Sequence, residues 1–263
     1  MECEELESYA LDELFGDVHL MISRAKKHEQ EFNALLSGQG DSAWWYISEN
    51  NSDVGYCYAV VIRCQKLREL KPVVADLCNN LVHALDQLIA ALTRANGRDN
   101  AGKLFFPWVL DERKFHKNLR LLEKTIGPEA CDCIRAARKQ CENDIVHAHL
   151  AKEISNAGKH WELVPSSAVI PAITFMFGDG SSKIFELPSN SLEENLYFEF
   201  YDGLEKLEAC PIRAVIGLRL AGISEDQVSP LSVFAAAFQY VEAVVTNVRG
   251  SKHVSELAFK AIV

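Results

Sequence analysis

The sequence contains no run of eighteen uncharged apolar residues, which is about the length that a membrane-spanning helix needs. Its first five residues, Met1-Glu2-Cys3-Glu4-Glu5, are largely acidic, whereas a secretory signal peptide begins with basic residues and continues with apolar ones. From these two absences we expect a cytoplasmic protein that has no membrane partner.

Motifs of the common enzyme classes are also absent. The sequence has no phosphate-binding loop, no G-x-G-x-x-G fingerprint, no G-x-S-x-G elbow, no H-E-x-x-H helix and no C-x-x-C pair. Their absence argues against the commonest nucleotide-binding proteins and hydrolases. We accordingly expect no cofactor.

The eight cysteines do not predict a disulfide framework, because the chain is long and carries no export signal. The nearest approach to a zinc pattern is a group of thiols and imidazoles: Cys131, Cys133, Cys141, His147 and His149. Residues two apart on a helix point about 200° away from each other, so Cys131 and Cys133 cannot both face one ion. His149 and Glu153 do have the i, i+4 spacing of a helical ligand pair. Packed or solvated side chains are the favoured interpretation, and we expect no metal.

Acidic residues outnumber basic ones, with 37 Asp and Glu against 27 Lys and Arg, which gives a formal net charge of −10. A field of this sign disfavours tight non-specific binding to nucleic acid, but it leaves room for a local basic groove. Four basic residues recur at 4-3-4 spacing opposite the apolar edge of a helical pattern at 111–126: Arg113, Lys117, Arg120 and Lys124. No aromatic residues are interleaved with them, as single-strand binders usually have. A solvated helix face is therefore favoured, with RNA binding as the alternative.

Apolar periodicity predicts helices that are interrupted and followed by strands. The expected order is a helix at 4–37, strands at 43–50 and 55–65, a helix opened by Pro72, helices at 111–126 and 129–141, a helix that ends at Gly158, strands at 172–177, 183–187, 195–201 and 212–220, and a last helix after Ser229-Pro230. The fold class is α+β: a helical bundle with an N-terminal β-hairpin, plus a C-terminal antiparallel sheet and closing helix. We expect a mainly helical part at 1–160 with its hairpin at 43–65, and the sheet with the C-terminal helix at 161–263, packed as one unit.

Asp86 is the most informative polar residue, because it shares a helix face with Val82, Ile89 and Ala90. A carboxylate in such surroundings is partly buried and needs a cation or several hydrogen-bond donors. The polar residues that could surround it are Asn80 and His83 in the preceding turns, and Glu153, Asn156, Lys159 and His160 later in the chain. We expect a structural pair of Asp86 with Lys159 or His160. A polar site between the helices is the functional alternative.

Three segments resemble the motifs of a family of uncharacterised bacterial proteins. The segment 75–88 is similar to its "GD-x-x-HNLR-x-ALDHL" helix, Phe106-Pro107 to its "QFPI" segment, and 153–160 to its "ELSNIDKHR" segment. The strand at 44–47 with Glu49 also fits, so the resemblance covers about 40–165. The family's "R-x-x-x-x-H" helix is remotely similar to the Arg…His signature of HEPN domains, many of which are metal-independent ribonucleases in defence and toxin systems.

This resemblance implies a mechanism in which an arginine holds the scissile phosphate and a histidine transfers protons. The sequence has Val82 and Gln87 at those two positions, and it departs again at Gly158 and Trp161. A valine cannot bind phosphate and a glutamine cannot shuttle a proton. The residues that do match look like a retained scaffold.

We therefore expect a non-enzymatic binding or regulatory protein in a bacterial defence or mobile-element setting. A protein partner or self-association is preferred over a small molecule. The long first helix and the apolar stripe of the last helix would suit a homodimer, although the chain's own core is the preferred use of both. The alternative is a divergent HEPN-like ribonuclease whose catalytic residues are His83, Asp86, Lys159 and His160, with His83 in place of the lost histidine and Lys159 in place of the lost arginine.

Overall fold

The computed structural model describes residues 3–37, 44–52, 55–98, 104–159, 172–176, 182–186, 196–204, 213–216 and 228–262. Within these ranges the chain forms seven helices and six strands, and most of the described residues are helical. The expected α+β class with a mostly helical layout is confirmed.

The helices and strands follow each other in this order: α1 Cys3–Leu36, β1 Trp45–Ser52, β2 Gly55–Ile62, α2 Cys64–Ala95, α3 Glu112–Ile126, α4 Pro128–Gln140, α5 Ile145–Lys159, β3 Ala172–Met176, β4 Ser182–Glu186, β5 Leu196–Gly203, β6 Arg213–Ile216, α6 Pro230–Arg249 and α7 Lys252–Ile262. The first helix, both hairpins and the helices at 111–126 and 129–141 agree with the sequence to within a few residues.

Two helix boundaries differ from the sequence prediction, and one helix was not predicted. Pro72 lies inside α2, which begins eight residues earlier, because the burial of Leu70, Val73 and Val74 stabilises a helix that continues through the proline. The helix expected to end at Gly158 includes that residue and ends at Lys159. Helix α7 was not predicted at all, since its apolar stripe is short.

The chain divides into two compact units. The helical unit comprises Met1–Lys27, Asp76–Asn156 and Leu231–Val263, and the strand-bearing unit comprises His28–Ala75 and Ala157–Pro230. This division differs from the expected boundary near residue 160. The closing helix α6 and its successor α7 belong with the helical unit, not with the sheet that precedes them.

The strands form two antiparallel three-stranded sheets with the orders β1-β2-β5 and β4-β3-β6. Strand β2 is central in the first sheet and pairs with β1 on one edge and β5 on the other. The prediction that 195–201 belongs to a C-terminal sheet is wrong, because β5 pairs with β2 and so satisfies the main-chain hydrogen bonds of the second edge of this strand. The register of β2 against β5 shifts between Tyr58 and Ala59.

The core of the helical unit is made by buried apolar residues of all seven helices. The stripe predicted for α2 is buried throughout: Leu77, Leu81, Ala84, Leu88 and Leu92. The predicted edge of α3 is buried as well: Phe115, Leu119, Leu122 and Ile126. Asp111 caps α3 by accepting a hydrogen bond from the Lys114 amide at 2.7 Å. Core packing therefore fixes which face of α3 meets solvent.

Helix α6 is long and apolar enough to cross a membrane by length and composition alone. In the structure 61% of the relevant eighteen-residue window is buried, as in the core helix of a globular unit. Its predicted stripe from Phe234 to Val248 is buried, and only Leu231 at its start is exposed. The chain's own core therefore uses the stripe that could have served a homodimer.

Candidate functional site

Asp86 is half-buried on α2, and its carboxylate supports a neighbouring loop. The Oδ1 atom accepts a hydrogen bond from the main-chain N–H of Phe106 at 2.9 Å. The prediction that this carboxylate is partly buried and hydrogen-bonded is thus confirmed. Its partner here is the loop at 104–111, the segment whose Phe106-Pro107 carries part of the family resemblance.

Arg138 of α4 holds the other end of the same loop. Its Nη1 and Nη2 atoms donate to the carbonyl oxygens of Val109 and Leu110 at 2.9 and 2.7 Å. Its Nε atom donates to Glu112 at 3.3 Å, and the guanidinium lies 4.2 Å from the centre of the Phe115 ring. The arginine fork can satisfy several acceptors at once, which explains how a side chain only 8% exposed remains compatible with its charge.

An aromatic cluster lies between these two anchors. Phe106, Trp108 and Tyr240 contact each other edge to face, with ring centres 5.4 to 5.9 Å apart. Burial raises the pKa of the Tyr240 phenol, while the nearby Arg138 acts in the opposite direction. These contacts join the loop to α2, α4 and α6, and the hydrogen bond from Phe106 to Asp86 is one of them.

A hydrogen bond that the sequence did not predict joins α2 and α5. Ser155 is fully buried, and its hydroxyl donates to Oδ1 of Asn79 at 2.7 Å. Both residues lie in the motif segments of the resemblance, but neither was chosen as a site residue. Ser155 follows Ala151 and Ile154 on an apolar helix face, which is the signal that could have identified it. The side chain of Lys159 and all of His160 lie outside the described residues, so the pair with Asp86 stays a prediction.

Two of the remaining α2 and α5 candidates, Asn80 and Glu153, contact residues of their own helix. The side chain of Asn80 donates to the carbonyl oxygen of Asp76 at 2.7 Å, within its own helix. His83 and Asn156 are half-buried. Glu153 lies 3.7 Å from His149 across one helical turn, as its spacing predicted.

His149 is 15% exposed and surrounded by charges of both signs. Burial lowers the pKa of His149, and Glu153 and the Trp108 main chain partly oppose this effect. Arg138 and Lys152 lower the pKa further. The imidazole is therefore held towards its neutral form next to the loop.

The cysteines near His149 are packed thiols. Cys131 and Cys141 are buried, and burial raises the pKa of Cys131 to about 12. A thiolate is the form that binds zinc, so this environment disfavours metal binding at Cys131. Among the residues that the structure describes, no three His, Cys, Asp or Glu side chains are grouped as metal ligands.

The basic residues of α3 form a candidate binding surface. We call Arg113, Lys117, Arg120 and Lys124 the basic face; all four are exposed. None of them forms an ion pair with another described residue, and Leu121, 69% exposed, lies among them.

The two acidic residues of α3 lie on a flank of the helix, beside the basic face. Glu112 lies 3.3 Å from Arg138, and Glu123 lies 3.7 Å from Arg135, so both acids pair with α4. His116 also contacts Glu112, at 3.0 Å. As a result, the positive charge of the basic face is not neutralised within the described part of the chain.

A cleft of about 490 Å³ runs between α3 and α4 on the flank that carries these pairs. It is lined by Leu110, Glu112, Phe115, His116, Arg135, Arg138, Lys139, Glu142 and Ile145. Its two arginines already have acidic partners, so the cleft is less suited to an anion than the basic face.

No family model, curated protein or solved structure matches this chain. The resemblance to the bacterial family and to HEPN domains therefore rests on the motif residues alone. Of these residues, the structure gives Asn79, Asp86, Phe106 and Ser155 specific contacts in the helical unit.

Proposed function

We propose that this is a non-enzymatic binding protein and that the basic face of α3 binds RNA. The observation that carries the proposal is the separation of charge on α3, where both acids pair with α4 and four exposed cations have no acidic partner among the described residues. In a chain of net charge −10, a concentrated positive surface is an exception that requires an explanation.

The geometry of the basic face suits a phosphate backbone. Because a helix rises 1.5 Å per residue, the four cations extend over about 16 Å in a line along one rigid helix. Lysine and arginine contacts to phosphate give affinity without sequence specificity. The exposed Leu121 provides an apolar contact for a base or ribose beside them. We therefore expect binding that depends strongly on salt and little on sequence.

Two observations favour binding over catalysis. Asp86 accepts a main-chain hydrogen bond from Phe106, which is a structural task. The two positions at which the resemblance would require arginine and histidine are Val82 and Gln87, and Val82 is fully buried. We extend the proposal to a regulatory role in a bacterial defence or mobile-element setting, with a protein partner in addition to RNA.

The first test is fluorescence anisotropy with a labelled single-stranded RNA at several salt concentrations. Four phosphate contacts predict a slope of log K against log salt of about −3. The variant Lys117→Gln, Arg120→Gln should halve that slope, because each lost contact removes about 0.7. The control Lys252→Gln, Lys260→Gln changes the net charge equally at exposed positions of α7 and should bind like the native protein. An equal loss of RNA affinity in both variants, or an affinity that does not depend on salt, would contradict the proposal.

The alternative is the divergent HEPN-like ribonuclease with His83, Asp86, Lys159 and His160, and the same RNA discriminates it from the binding protein. After incubation, a gel shows whether the RNA is intact or cleaved. The test variant is Asp86→Asn, His160→Ala, because asparagine still accepts the hydrogen bond of the Phe106 amide. Cleavage that this folded variant loses would replace our proposal with the ribonuclease, whereas intact RNA that remains bound supports it.

A further inference from the structure

A line of five exposed residues runs along α1 and carries a symmetric charge pattern. We call Glu13, Asp17, Leu20, Arg24 and Lys27 the α1 stripe; all are exposed, and Leu20 is 63% exposed. Their 4-3-4-3 spacing places them within about 80° of helix surface and over about 21 Å of helix length. The stripe is acidic before Leu20 and basic after it.

Neighbouring charges on α1 already have partners within the chain. Asp12 lies 2.6 Å from Arg249, and Lys26 lies 2.8 Å from Glu242, so this flank of α1 is bound to α6. The charges of the stripe form no ion pair with other described residues. Like charges also stand one turn apart within it, Glu13 beside Asp17 and Arg24 beside Lys27, which is unfavourable for an isolated helix.

The stripe is complementary to a reversed copy of itself. Glu13 stands seven residues before Leu20, and Lys27 stands seven residues after it. Asp17 stands three residues before Leu20, and Arg24 stands four residues after it. When two copies of α1 cross antiparallel at Leu20, the acidic half of each faces the basic half of the other, and the two leucines meet at the symmetry axis.

A groove beside the stripe gives the helices room to approach. It has a volume of about 470 Å³ and lies between α1, α2 and α7. Glu13, Asp17 and Leu20 of the stripe line it together with Arg94 of α2 and the small residues Ala10, Gly16, Ala91, Ala95 and Ala258. No atom lies within 4 Å of the position that a Cβ of Gly16 would occupy. Small residues permit close helix packing, so two copies of α1 can approach each other along this side of the stripe.

We propose that the protein forms a homodimer through antiparallel pairing of the α1 stripe of two copies. The occupant is a second copy because the charge pattern of the stripe is complementary to its own reversed copy. A single helix pair buries less than a standard interface of about 1,600 Å². The dimer is therefore weak, with a dissociation constant in the micromolar range, and it dissociates in high salt.

Sedimentation equilibrium of the full chain at micromolar concentrations tests the dimer. The native protein should give a mass approaching twice 29.4 kDa. Two double variants reverse one half of the stripe each: Glu13→Lys with Asp17→Lys, and Arg24→Glu with Lys27→Glu. Each double variant should be monomeric by itself, and an equimolar mixture of the two should form a heterodimer. The control Lys252→Glu, Lys260→Glu should leave the dimer intact. A monomeric native protein, or a mixture that stays monomeric, would overturn the proposal.

Cross-linking locates the symmetry axis independently of charge. The variant Leu20→Cys places one thiol of each copy at the axis, so mild oxidation should give a disulfide-linked dimer. The control Leu121→Cys carries a thiol of similar exposure on α3, and the native protein accounts for its own cysteines. A cross-link that forms equally in all three proteins contradicts the antiparallel pairing of α1.

Discussion

Asp86 and Arg138 hold opposite ends of one loop, and they differ in how far the sequence reveals them. Asp86 stands out because a carboxylate on an apolar helix face must find a donor. By sequence alone, Arg138 cannot be distinguished from the other basic residues that precede it. Only its three acceptors, two of them main-chain carbonyl oxygens far away in sequence, show that it is buried and structural.

At the same scale, His149 predicts a pH dependence of stability. Burial lowers the pKa of His149 below its ordinary value of 6.5, so the unfolded chain binds a proton more readily than the folded protein. The free energy of unfolding should be independent of this group above about pH 6.5 and should decrease as the pH falls through the folded pKa. Urea unfolding at several pH values measures it.

Two variants test the assignment to His149. The variant His149→Gln removes the titrating group and should lose less stability between neutral and acidic pH than the native protein. In Glu153→Gln the carboxylate that raises the pKa of His149 is removed, so the loss at low pH should become larger. Identical pH profiles for all three proteins would show that His149 does not control this dependence.

Helix α2 shows how packing overrides local propensity at the scale of an element. A proline is usually found in the first turn of a helix, which is why the sequence indicated a start at Pro72. The structure instead extends α2 back to Cys64, because the residues around the proline are buried. Pro72 itself is exposed, so the carbonyl that loses its partner can accept a hydrogen bond from water.

This position of the proline predicts that Pro72→Ala stabilises the protein. The substitution restores one main-chain donor and removes a steric clash, so the free energy of unfolding should increase by up to about 3 kcal/mol. The matched control is Pro128→Ala, because Pro128 is exposed and occupies the first turn of α4. Its loss should lower stability by about 0.4 to 1 kcal/mol. Chemical denaturation compares the two, and destabilisation by Pro72→Ala would show that α2 does not continue through residue 72.

Helix α3 is the element that the sequence predicted best. Its apolar edge and its basic face lie within the fifteen residues of the helix, and a helical period relates them. The pairing of its acids with α4 could not be predicted, because Glu112 and Arg138 are separated by 26 residues. This pairing is what leaves the basic face without acidic partners among the described residues.

For the whole molecule, the order of elements along the chain does not give the division into units. Strand β5 returns to pair with β2, and α6 and α7 return to the helical unit. Each unit is therefore assembled from segments of the chain that are not consecutive. A domain boundary that is inferred from the change between helical and strand patterns cannot show that later segments of the chain pack with earlier ones.

This organisation predicts that the fragment 1–160 does not fold on its own. It lacks α6, whose Phe234, Val241 and Val248 are buried, and it lacks β5, the second partner of β2. Circular dichroism should show reduced helicity and no cooperative thermal transition, in contrast to the full chain. A cooperative transition of the fragment would restore the boundary near residue 160 that the sequence indicated.

The sequence by itself determined most of the helices and strands, which helix faces are apolar, and that Asp86 would need a donor, because each of these depends on periodicity or on the chemistry of one side chain. The start of α2 and the whole of α7 were not among them. The tertiary structure alone decided the donor of Asp86, the burial of Arg138, the Asn79–Ser155 hydrogen bond and the partner of β5. These contacts join residues that are distant along the chain, and many pairings satisfy the same local pattern. One of these pairings is selected only when all the apolar stripes pack at the same time.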